Sequence, residues 1–374
     1  MSDVKASVML AAGGTGGHLF PAFALAQELA RRSIEVDLVT DHRGDRYGSD
    51  FPARAVHQVP SATLAGRSPV AVAKTGMTLA RGVAAAMRLL GDTKPAAVIG
   101  FGGYPTFPPL IAARLKRIPC ALHEQNAVLG RANAMLARRV NAIATSFENV
   151  KGIDAALQKK VRLTGNPVRD IVIDWSSRPY REPLAGGPYS LLVFGGSQGA
   201  RYFSDAVPPA LVALPAAMRT QLFVTQQARA EDVERVEAAY RDAGIRANVA
   251  PFFTNLPEEM ANASLVIGRA GASTIAELTV MGRPSILVPL PHAIDNDQLN
   301  NARHLVGIGG AVLHEQKDLT PDILAASIAS LFGDPGRLDA MAAAARQQGR
   351  PDAVVRLADL VVTLMDARHG AASA

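Results

Sequence analysis

Residues 10–21 read LAAGGTGGHLFP, in which four glycines surround Thr15 and His18 follows at once. The apolar run SVMLAA precedes these glycines, and AFALAQELARR, which has a helical pattern, follows them. Glycine permits positive φ angles and lets the backbone approach a ligand closely. A glycine loop that feeds a helix also presents backbone N–H groups at the positive end of the helix dipole. The stretch therefore predicts a strand–loop–helix unit that suits a phosphate group.

Two further stretches repeat this arrangement. GFGGYPTFPP at residues 100–109 follows the apolar run Ala97–Ile99, and LLVFGGSQGA at residues 191–200 contains both an apolar run and a glycine loop. One such loop is as often a tight turn, but three of them after strands favour a ligand site at the carboxyl ends of parallel strands. None is a P-loop, because no Lys-Ser or Lys-Thr pair follows, and GGTGGH lacks the spacing of a dinucleotide fingerprint.

Short apolar runs alternate with amphipathic segments along the chain, which predicts an α/β fold with parallel sheets. The predicted strands are Ser7–Ala11, Val36–Thr40, Ala97–Ile99, Ala121–His123, Ala142–Thr145, Leu191–Phe194, Gln221–Thr225, Leu265–Ile267 and Ser285–Val288. The predicted helical segments include Ala22–Arg32, Ala230–Ala243 and Thr274–Met281.

The stretch DWSSRPYREPLAGGPYS, residues 174–190, is rich in Pro, Gly and Ser and predicts a connecting loop. We therefore predict two Rossmann-like domains, residues 1–168 and 169–350, that face a central cleft. The segment 351–366 has apolar residues at helical spacing. It could pack against either domain, including back on the first.

Composition limits the possible classes of protein. The 374 residues suffice for two domains, and 48% hydrophobic against 19% charged residues indicates packed cores. The single cysteine, Cys120, excludes an intramolecular disulfide, and no zinc-type spacing of Cys and His occurs. We expect neither a signal peptide nor a transmembrane helix. The net charge of +6 allows an anionic partner, but 5% aromatic residues argue against a base-stacking surface for nucleic acid.

The densest candidate stretch is IGRAGASTIAELTVMGRPSILVPLPHAIDNDQLNNA, residues 267–302. Its small polar segment predicts a helix N-terminus for phosphate, and Glu277 in that helix could accept hydrogen bonds from a ribose diol. A solvated helix face is the alternative for Glu277. Gln298 and Asn301, three residues apart, share a helix face and suit sugar hydroxyls. One aspartate of the Asp295–Asp297 segment is expected to cap the helix, and no metal is assigned to it.

His18 falls where the first helix begins, and the dipole there disfavours a charged imidazole. A neutral imidazole beside a ligand site can act as a general base. A histidine that merely caps or packs is the alternative.

Seven motifs in this order resemble the MurG family of bacterial glycosyltransferases, which add N-acetylglucosamine (GlcNAc) to lipid I, the undecaprenyl-pyrophosphoryl-muramyl-pentapeptide, to give lipid II. The motifs are GGTGGHLFPA, GFGGYPTFPP, HEQNAVLGRAN, TGNPVR, FGGSQGAR, RAGASTIAEL and DNDQLNNA, and they span residues 13–302. The resemblance implies the two-domain GT-B architecture. Ala270 and Asp297 depart from the family pattern, in which Ser and His are common at these positions.

The resemblance also implies roles for individual residues. His18 is the candidate general base and Glu124 a second, although Glu124 is more readily explained as a support for Asn126. The residues implied to bind UDP-GlcNAc are Thr15, Gly16, Gly17, Asn126, Arg169, Ser197, Phe253, Ala272, Ser273, Thr274, Ile275, Ala276, Glu277 and Gln298. Phe253 would address uracil through its backbone. The residues assigned to the acceptor diphosphate are Gly14, Gly102, Gly103 and Tyr104.

The implied reaction is a single inverting displacement that needs neither a metal nor another cofactor. The implied partners are UDP-GlcNAc, lipid I and an anionic membrane surface, with cell-wall and division proteins left open and nucleic acid excluded. Three other readings stay open: a transferase with another lipid acceptor such as diacylglycerol, a non-catalytic nucleotide-sugar binder, and a nicotinamide dehydrogenase.

Basic residues dominate the region between residues 64 and 140, where the only acids are Asp92 and Glu124. The basic residues are Arg67, Lys74, Arg81, Arg88, Lys94, Arg114, Lys116, Arg117, Arg131, Arg138 and Arg139. The apolar residues among them are Val70, Val72, Met77, Leu79, Leu115 and Ile118. This pattern predicts peripheral docking on the cytoplasmic face of the cell membrane. The alternative is that the apolar residues face the core and the charges are only solvated.

Overall fold

The computed structural model describes residues 6–41, 51–62, 68–184, 186–196, 199–291 and 293–372. The chain forms two compact units. Unit 1 comprises Met1–Arg169 together with Pro351–Ala374, and unit 2 comprises Asp170–Arg350.

Unit 1 is built on a parallel sheet of seven strands in the order β3-β2-β1-β4-β5-β6-β7. The strands are β1 (Ser7–Ala11), β2 (Glu35–Thr40), β3 (Ala55–Gln58), β4 (Ala97–Gly100), β5 (Cys120–Glu124), β6 (Ala142–Thr145) and β7 (Val161–Leu163). Central β1 pairs with both β2 and β4, so that Val8 lies opposite Val36 and Ala97. Its residues are all buried, which explains the uninterrupted apolar run.

In the described part of unit 1, five helices lie between these strands. They are α1 (Gly16–Arg31), α2 (Pro69–Thr93), α3 (Phe107–Leu115), α4 (Arg131–Ala137) and α5 (Ala155–Gln158). Helix α1 begins six residues before the predicted start at Ala22, because the glycines that follow Thr15 are part of its first turn. Ser68 caps α2 through a 3.2 Å hydrogen bond from Ala71 N to its Oγ.

Unit 2 contains a second parallel sheet, of six strands in the order β10-β9-β8-β11-β12-β13. The strands are β8 (Tyr189–Phe194), β9 (Leu222–Gln227), β10 (Arg246–Ala250), β11 (Leu265–Gly268), β12 (Ser285–Leu287) and β13 (Ala311–Leu313). The helices are α6 (Asp170–Ser176), α7 (Arg201–Val212), α8 (Ala216–Arg219), α9 (Val233–Asp242), α10 (Leu256–Asn262), α11 (Ala272–Met281), α12 (Asp297–Gly307), α13 (Pro321–Phe332) and α14 (Pro335–Gln348). The predicted α/β class with two parallel sheets is therefore confirmed.

A fully buried arginine, Arg283, joins the C-terminal ends of two helices in unit 2. The Arg283 guanidinium donates to the carbonyl of Ala261 at the end of α10 (2.7 Å) and to that of Met281 at the end of α11 (2.6 Å). It also donates to Arg178 O (3.0 Å) in the segment that enters unit 2. Carbonyl groups in the last turn of a helix have no hydrogen-bond partner within the helix, so they need such donors when they are buried.

The C-terminal helix α15 (Ala353–Ala372) belongs to unit 1. Its residues Leu357 and Val361 are fully buried in the same apolar core as Leu25 of α1. Arg32, which follows α1, donates to Asp359 at 2.7 Å. Among the described helices, none has the length and apolar character needed to cross a bilayer.

Candidate active site

The ring of His18 lies in a cradle formed by three glycines of unit 1. A Cβ placed on Gly102 would lie 3.0 Å from Cε1 of this ring, and one on Gly13 would lie 3.2 Å from its Cδ2. A Cβ on Gly103 would lie 3.5 Å from the same Cδ2 atom. Gly102 and Gly103 also have backbone φ angles of 98° and 78°, which residues other than glycine rarely adopt. This glycine cradle fixes the imidazole at the point where α1 begins.

The first turn of α1 offers backbone donors beside the cradle. Thr15 and Gly17 are exposed, whereas Gly16 is buried. Thr15 makes no side-chain capping bond, and His18 N donates to Thr15 O at 3.0 Å. The N–H groups of Gly16 and Gly17 precede that bond and point toward the N-terminal end of the helix. They therefore suit an anionic or strongly polar ligand group.

The residues predicted for the acceptor diphosphate lie in the loops after β1 and β4. Gly14 is buried, and half-buried Tyr104 begins a 3₁₀ turn, Tyr104–Thr106. The buried Thr106 hydroxyl donates to Gly102 O at 2.7 Å, and Gly13 N donates to the same carbonyl at 3.0 Å. These two bonds join the loops and set the shape of the glycine cradle.

Glu124 ends β5 and is buried. Its Oε1 accepts from Asn126 N (3.0 Å), while Oε2 accepts from Gly130 N (2.9 Å) and from Asn133 Nδ2 (2.7 Å). Burial raises the pKa of this carboxyl group, and the hydrogen bonds act in the opposite direction. These contacts support the structural explanation of Glu124, because the carboxylate organises the loop that carries Asn126.

His123 and Gln125 were not predicted as site residues, yet they connect the site loops. The buried His123 donates from Nε2 to Gly165 O (3.0 Å), and its Nδ1 accepts from Gln125 Nε2 (3.0 Å). Burial lowers the pKa of His123 to about 4, so that the ring is neutral at pH 7. The Gln125 amide also donates to Phe101 O (2.8 Å), which ties β5 to the loop after β4. The sequence alone does not predict that His123 connects these loops, because a histidine within an apolar strand has no characteristic pattern around it.

Arg169, the last residue of the first segment of unit 1, stacks on an aromatic ring of α1. Its Cζ lies 4.7 Å from the ring centroid of Phe20. A Cβ on Gly16 would lie 3.1 Å from Cε2 of the same ring, so Phe20 packs closely against the first turn of α1. A cation–π contact positions a guanidinium without neutralising its charge. Arg169 can therefore still attract a phosphate group.

In unit 2, the candidate donor site begins at the N-terminus of α11. The first backbone bond of this helix runs from Ile275 N to Gly271 O (3.0 Å). The N–H groups of Ala272, Ser273 and Thr274 precede that bond. Among the described residues, the buried Ser273 Oγ has no hydrogen-bond partner. These groups together offer several donors to an anion.

Glu277 lies one turn further along α11 and is buried, with 8% of its surface exposed. A solvated helix face, the alternative considered for this residue, is therefore wrong. Helical spacing places Glu277 on the same face as Ser273 and Thr274, while Ala276 is half-buried beside it. The carboxylate and the N-terminal donors thus belong to one face of one helix.

Gln298 and Asn301 have different environments although they share a face of α12. The fully buried Asn301 donates from Nδ2 to Ala270 O (3.1 Å), so the expectation that it faces sugar hydroxyls is wrong. Half-buried Gln298 accepts from Leu290 N (2.9 Å) through Oε1, which orients its amide group. Ala270 itself is fully buried.

The aspartates before α12 differ in their surroundings. Asp297 Oδ1 accepts from Gln298 N (2.7 Å) in the first helical turn. The N-cap residue of α12 is Asn296, which makes no side-chain capping bond, so the expected aspartate cap is wrong. Burial raises the pKa of the Asp297 carboxyl; the hydrogen bond from Gln298 N opposes this rise, and the negative charge of Asp295 adds to it. Within the described ranges of the chain, no group of three or more His, Cys, Asp and Glu side chains could hold a metal ion.

Two further described residues lie at the carboxyl edge of the second sheet. Phe253 is half-buried after β10, and Ser197 lies outside the described residues. The buried Arg269, which was not predicted, donates to Val288 O (3.0 Å) and to Gln316 Oε1 (2.7 Å). It therefore ties together the loops that follow β11, β12 and β13.

Comparisons with known proteins place this architecture in a family. The glycosyltransferase family 28 N-terminal domain matches residues 8–145, and the corresponding C-terminal domain matches residues 190–357. A UDP-N-acetylglucosamine--N-acetylmuramyl-(pentapeptide) pyrophosphoryl-undecaprenol N-acetylglucosamine transferase of Rhodopseudomonas palustris is 54% identical, over 95% of this chain and 97% of the relative. The chain belongs to the MurG family. A transferase of the same name from Allorhizobium ampelinum is 51% identical, over 98% of this chain and 97% of its own length.

Solved structures agree with this family membership. The crystal structure of Acinetobacter baumannii MurG is 31% identical, has a TM-score of 0.78, and covers 96% of this chain and 99% of its own. The Neisseria meningitidis UDP-GlcNAc 2-epimerase bound to UDP-GlcNAc has a TM-score of 0.67 at 14% identity, over 96% of this chain and 100% of that one. This second likeness concerns the fold alone. The GT-B-like fold expected for the MurG family is therefore confirmed.

Proposed function

We propose that the chain transfers GlcNAc from UDP-GlcNAc to the 4-hydroxyl of the N-acetylmuramyl residue of lipid I, which forms lipid II for peptidoglycan synthesis. The names of the relatives at 51–54% identity describe this transferase. The observation that carries the proposal is the glycine cradle, which holds the His18 imidazole beside the N-terminus of α1. A base so positioned is what activation of an acceptor hydroxyl requires.

The reaction is a single displacement that inverts the anomeric carbon of the sugar. The acceptor oxygen forms a bond to C1 of GlcNAc as the bond from C1 to the diphosphate oxygen breaks, and the hydroxyl proton passes to His18. UDP departs with the electron pair of the broken bond. The α11 N-terminus and the Arg169 guanidinium stabilise its growing negative charge.

The two units divide the binding work in this proposal. Unit 2 holds the donor through the first turn of α11, Glu277, Gln298 and the backbone at Phe253. The glycine loop that begins at Gly195, after β8, holds the diphosphate in this proposal. Unit 1 contributes His18, the α1 first turn and Asn126, and it binds the acceptor diphosphate through its glycine loops. Glu124 acts through the loop it organises.

The decisive experiment is incubation with UDP-GlcNAc and a lipid I analogue, followed by mass analysis of the product. We expect a mass increase of one GlcNAc residue and release of UDP in equal amount. Diacylglycerol in place of the lipid I analogue tests the alternative acceptor. UDP binding without any product would instead indicate a nucleotide-sugar binder.

Glu277→Ala is expected to weaken UDP-GlcNAc binding by about 1.5–3 kcal/mol, the range for hydrogen bonds to a charged group. Its carboxylate is the proposed acceptor for the ribose hydroxyls. Calorimetric titration measures the effect, and Glu237→Ala, at an exposed position of α9, is the matched control. The variant could instead be less stable without ligand while its folded fraction binds UDP normally. That result would show that the Glu277 carboxylate has a structural role.

Unit 1 is also the proposed site of docking to the cytoplasmic face of the cell membrane. Lys74, Met77, Arg81 and Arg88 are exposed on one stripe of α2. Leu115, at the end of α3, is 63% exposed. Ile118 is buried, so its predicted insertion into lipid is wrong. Leu79 is half-buried, and Arg67 and the side chains of Val70 and Val72 lie outside the described residues.

Changing Lys74, Arg81 and Arg88 to Gln should weaken binding to anionic vesicles by about 100-fold at low salt, because each of the three cations near the surface contributes about 1 kcal/mol. Binding of the unchanged protein should fall as salt rises. Vesicle sedimentation measures both effects. A triple change to Gln of exposed Arg241, Arg246 and Lys317 in unit 2 is the control. Equal binding to neutral and anionic vesicles would contradict the docking surface.

A further inference from the structure

A buried glutamine of unit 2 connects two loops that the proposed function assigns to different parts of UDP. Gln227 ends β9 with 7% of its surface exposed. Its Oε1 accepts from Gly195 N (3.1 Å), and its Nε2 donates to Pro251 O (3.1 Å). One amide group therefore joins the loop after β8 to the segment after β10.

Each of the two bonded groups begins a functional segment. Gly195 begins the glycine loop proposed for the diphosphate, and a Cβ there would lie 2.3 Å from Ala200 N, so the backbone is closely packed. Pro251 directly precedes Phe252 and Phe253, where the backbone is proposed to bind uracil. The separation of these segments must match the separation of base and diphosphate in one nucleotide.

We propose that Gln227 is a positioning residue that sets the uracil segment against the diphosphate loop, and so contributes to selection of uridine diphosphate. Only a side chain with both an acceptor and a donor at its end can satisfy both backbone groups at once. Glutamate keeps the acceptor for Gly195 N but places a carboxylate oxygen against Pro251 O. Leucine leaves both backbone groups without this partner.

Base selection depends on where the backbone N–H and C=O groups of the uracil segment lie. Uracil presents a donor at N3 and an acceptor at O4, whereas cytosine presents an acceptor and a donor at the corresponding positions. A backbone segment held in one register distinguishes these patterns. If Pro251 loses its bond to Gln227, the segment can shift and the distinction weakens.

The inference rests on the proposed function, so UDP and CDP serve as probes in calorimetric titrations. We expect the unchanged protein to prefer UDP, and Gln227→Leu to weaken UDP binding by about 10–30-fold, the loss of two hydrogen bonds. Its ratio of CDP to UDP dissociation constants should fall as well. Gln227→Glu should lower that ratio by itself, which keeps the test available if the leucine variant unfolds.

The neighbouring Gln226 provides a matched control. It is also buried, but its amide donates to Phe203 O and accepts from the Tyr240 hydroxyl, and neither partner belongs to the two loops. Folded Gln226→Leu protein should keep the UDP preference whatever its melting temperature. Unchanged UDP affinity and base preference in both Gln227 variants would overturn the positioning role alone. Absence of UDP binding in the unchanged protein would overturn the proposed function and this inference with it.

Discussion

His18→Ala is expected to lower kcat by about 10²–10⁴-fold, the range for a positioned general base, with little change in UDP affinity. The imidazole is the proposed acceptor of the sugar hydroxyl proton, whereas donor binding depends mainly on unit 2. Steady-state kinetics with a lipid I analogue and titration with UDP separate the two effects. A variant with nearly full kcat would exclude His18 as the base.

A second change tests the cradle without removing the imidazole. Gly102→Ala places a Cβ 3.0 Å from Cε1 of His18 at a residue whose φ is 98°, so the ring or the loop must shift. We expect kcat to fall in this variant as well. Gly307→Ala in α12 is the control, because a Cβ there meets nothing within 4 Å.

Arg283→Met is expected to lower the free energy of unfolding by more than about 3 kcal/mol, because several buried carbonyls lose their donor together. Methionine fills comparable space but donates no hydrogen bond. Burial lowers the pKa of Arg283 to about 10, and the guanidinium therefore remains charged at pH 7. Thermal unfolding followed by calorimetry should show the transition of unit 2 at a lower temperature.

Arg241→Met is the matched control for that change. The Arg241 side chain is 73% exposed in unit 2 and lies 4.0 Å from Asp242, so its loss should change stability by no more than about 0.5 kcal/mol. Equal melting temperatures for the two variants would contradict the role assigned to Arg283.

The nine strands predicted from sequence are the inner strands of the two sheets, and the four missed strands, β3, β7, β10 and β13, are their edges. Inner strands are covered on both faces and read as apolar runs. Edge strand β10 instead exposes Arg246 and Asn248, and β7 has only three residues with an arginine at its centre. Neither sequence carries the pattern from which strands are recognised.

The site residues also divide into two groups: those that a contiguous stretch of sequence predicts, and those whose partners lie far away along the chain. The glycine loops and the α11 N-terminus are contiguous stretches, so spacing along the chain predicts them. Gln227 bonds groups that lie 32 and 24 residues away, and Arg269 reaches Gln316, 47 residues away. Such buried polar residues act on backbone brought close only by folding. Asn301 was misassigned for the same reason, because its partner is a distant carbonyl.

The return of α15 to unit 1 has a consequence for the order in which the protein folds during synthesis. Unit 2 is continuous in the chain, so it can fold as soon as it leaves the ribosome. The core of unit 1 must wait for Leu357 and Val361, which are synthesised after all of unit 2. Until then, Leu25 and its neighbours on α1 lack their final cover and are exposed to chaperones or to aggregation. A nascent chain that stops before α15 would therefore hold a finished unit 2 beside an incomplete unit 1.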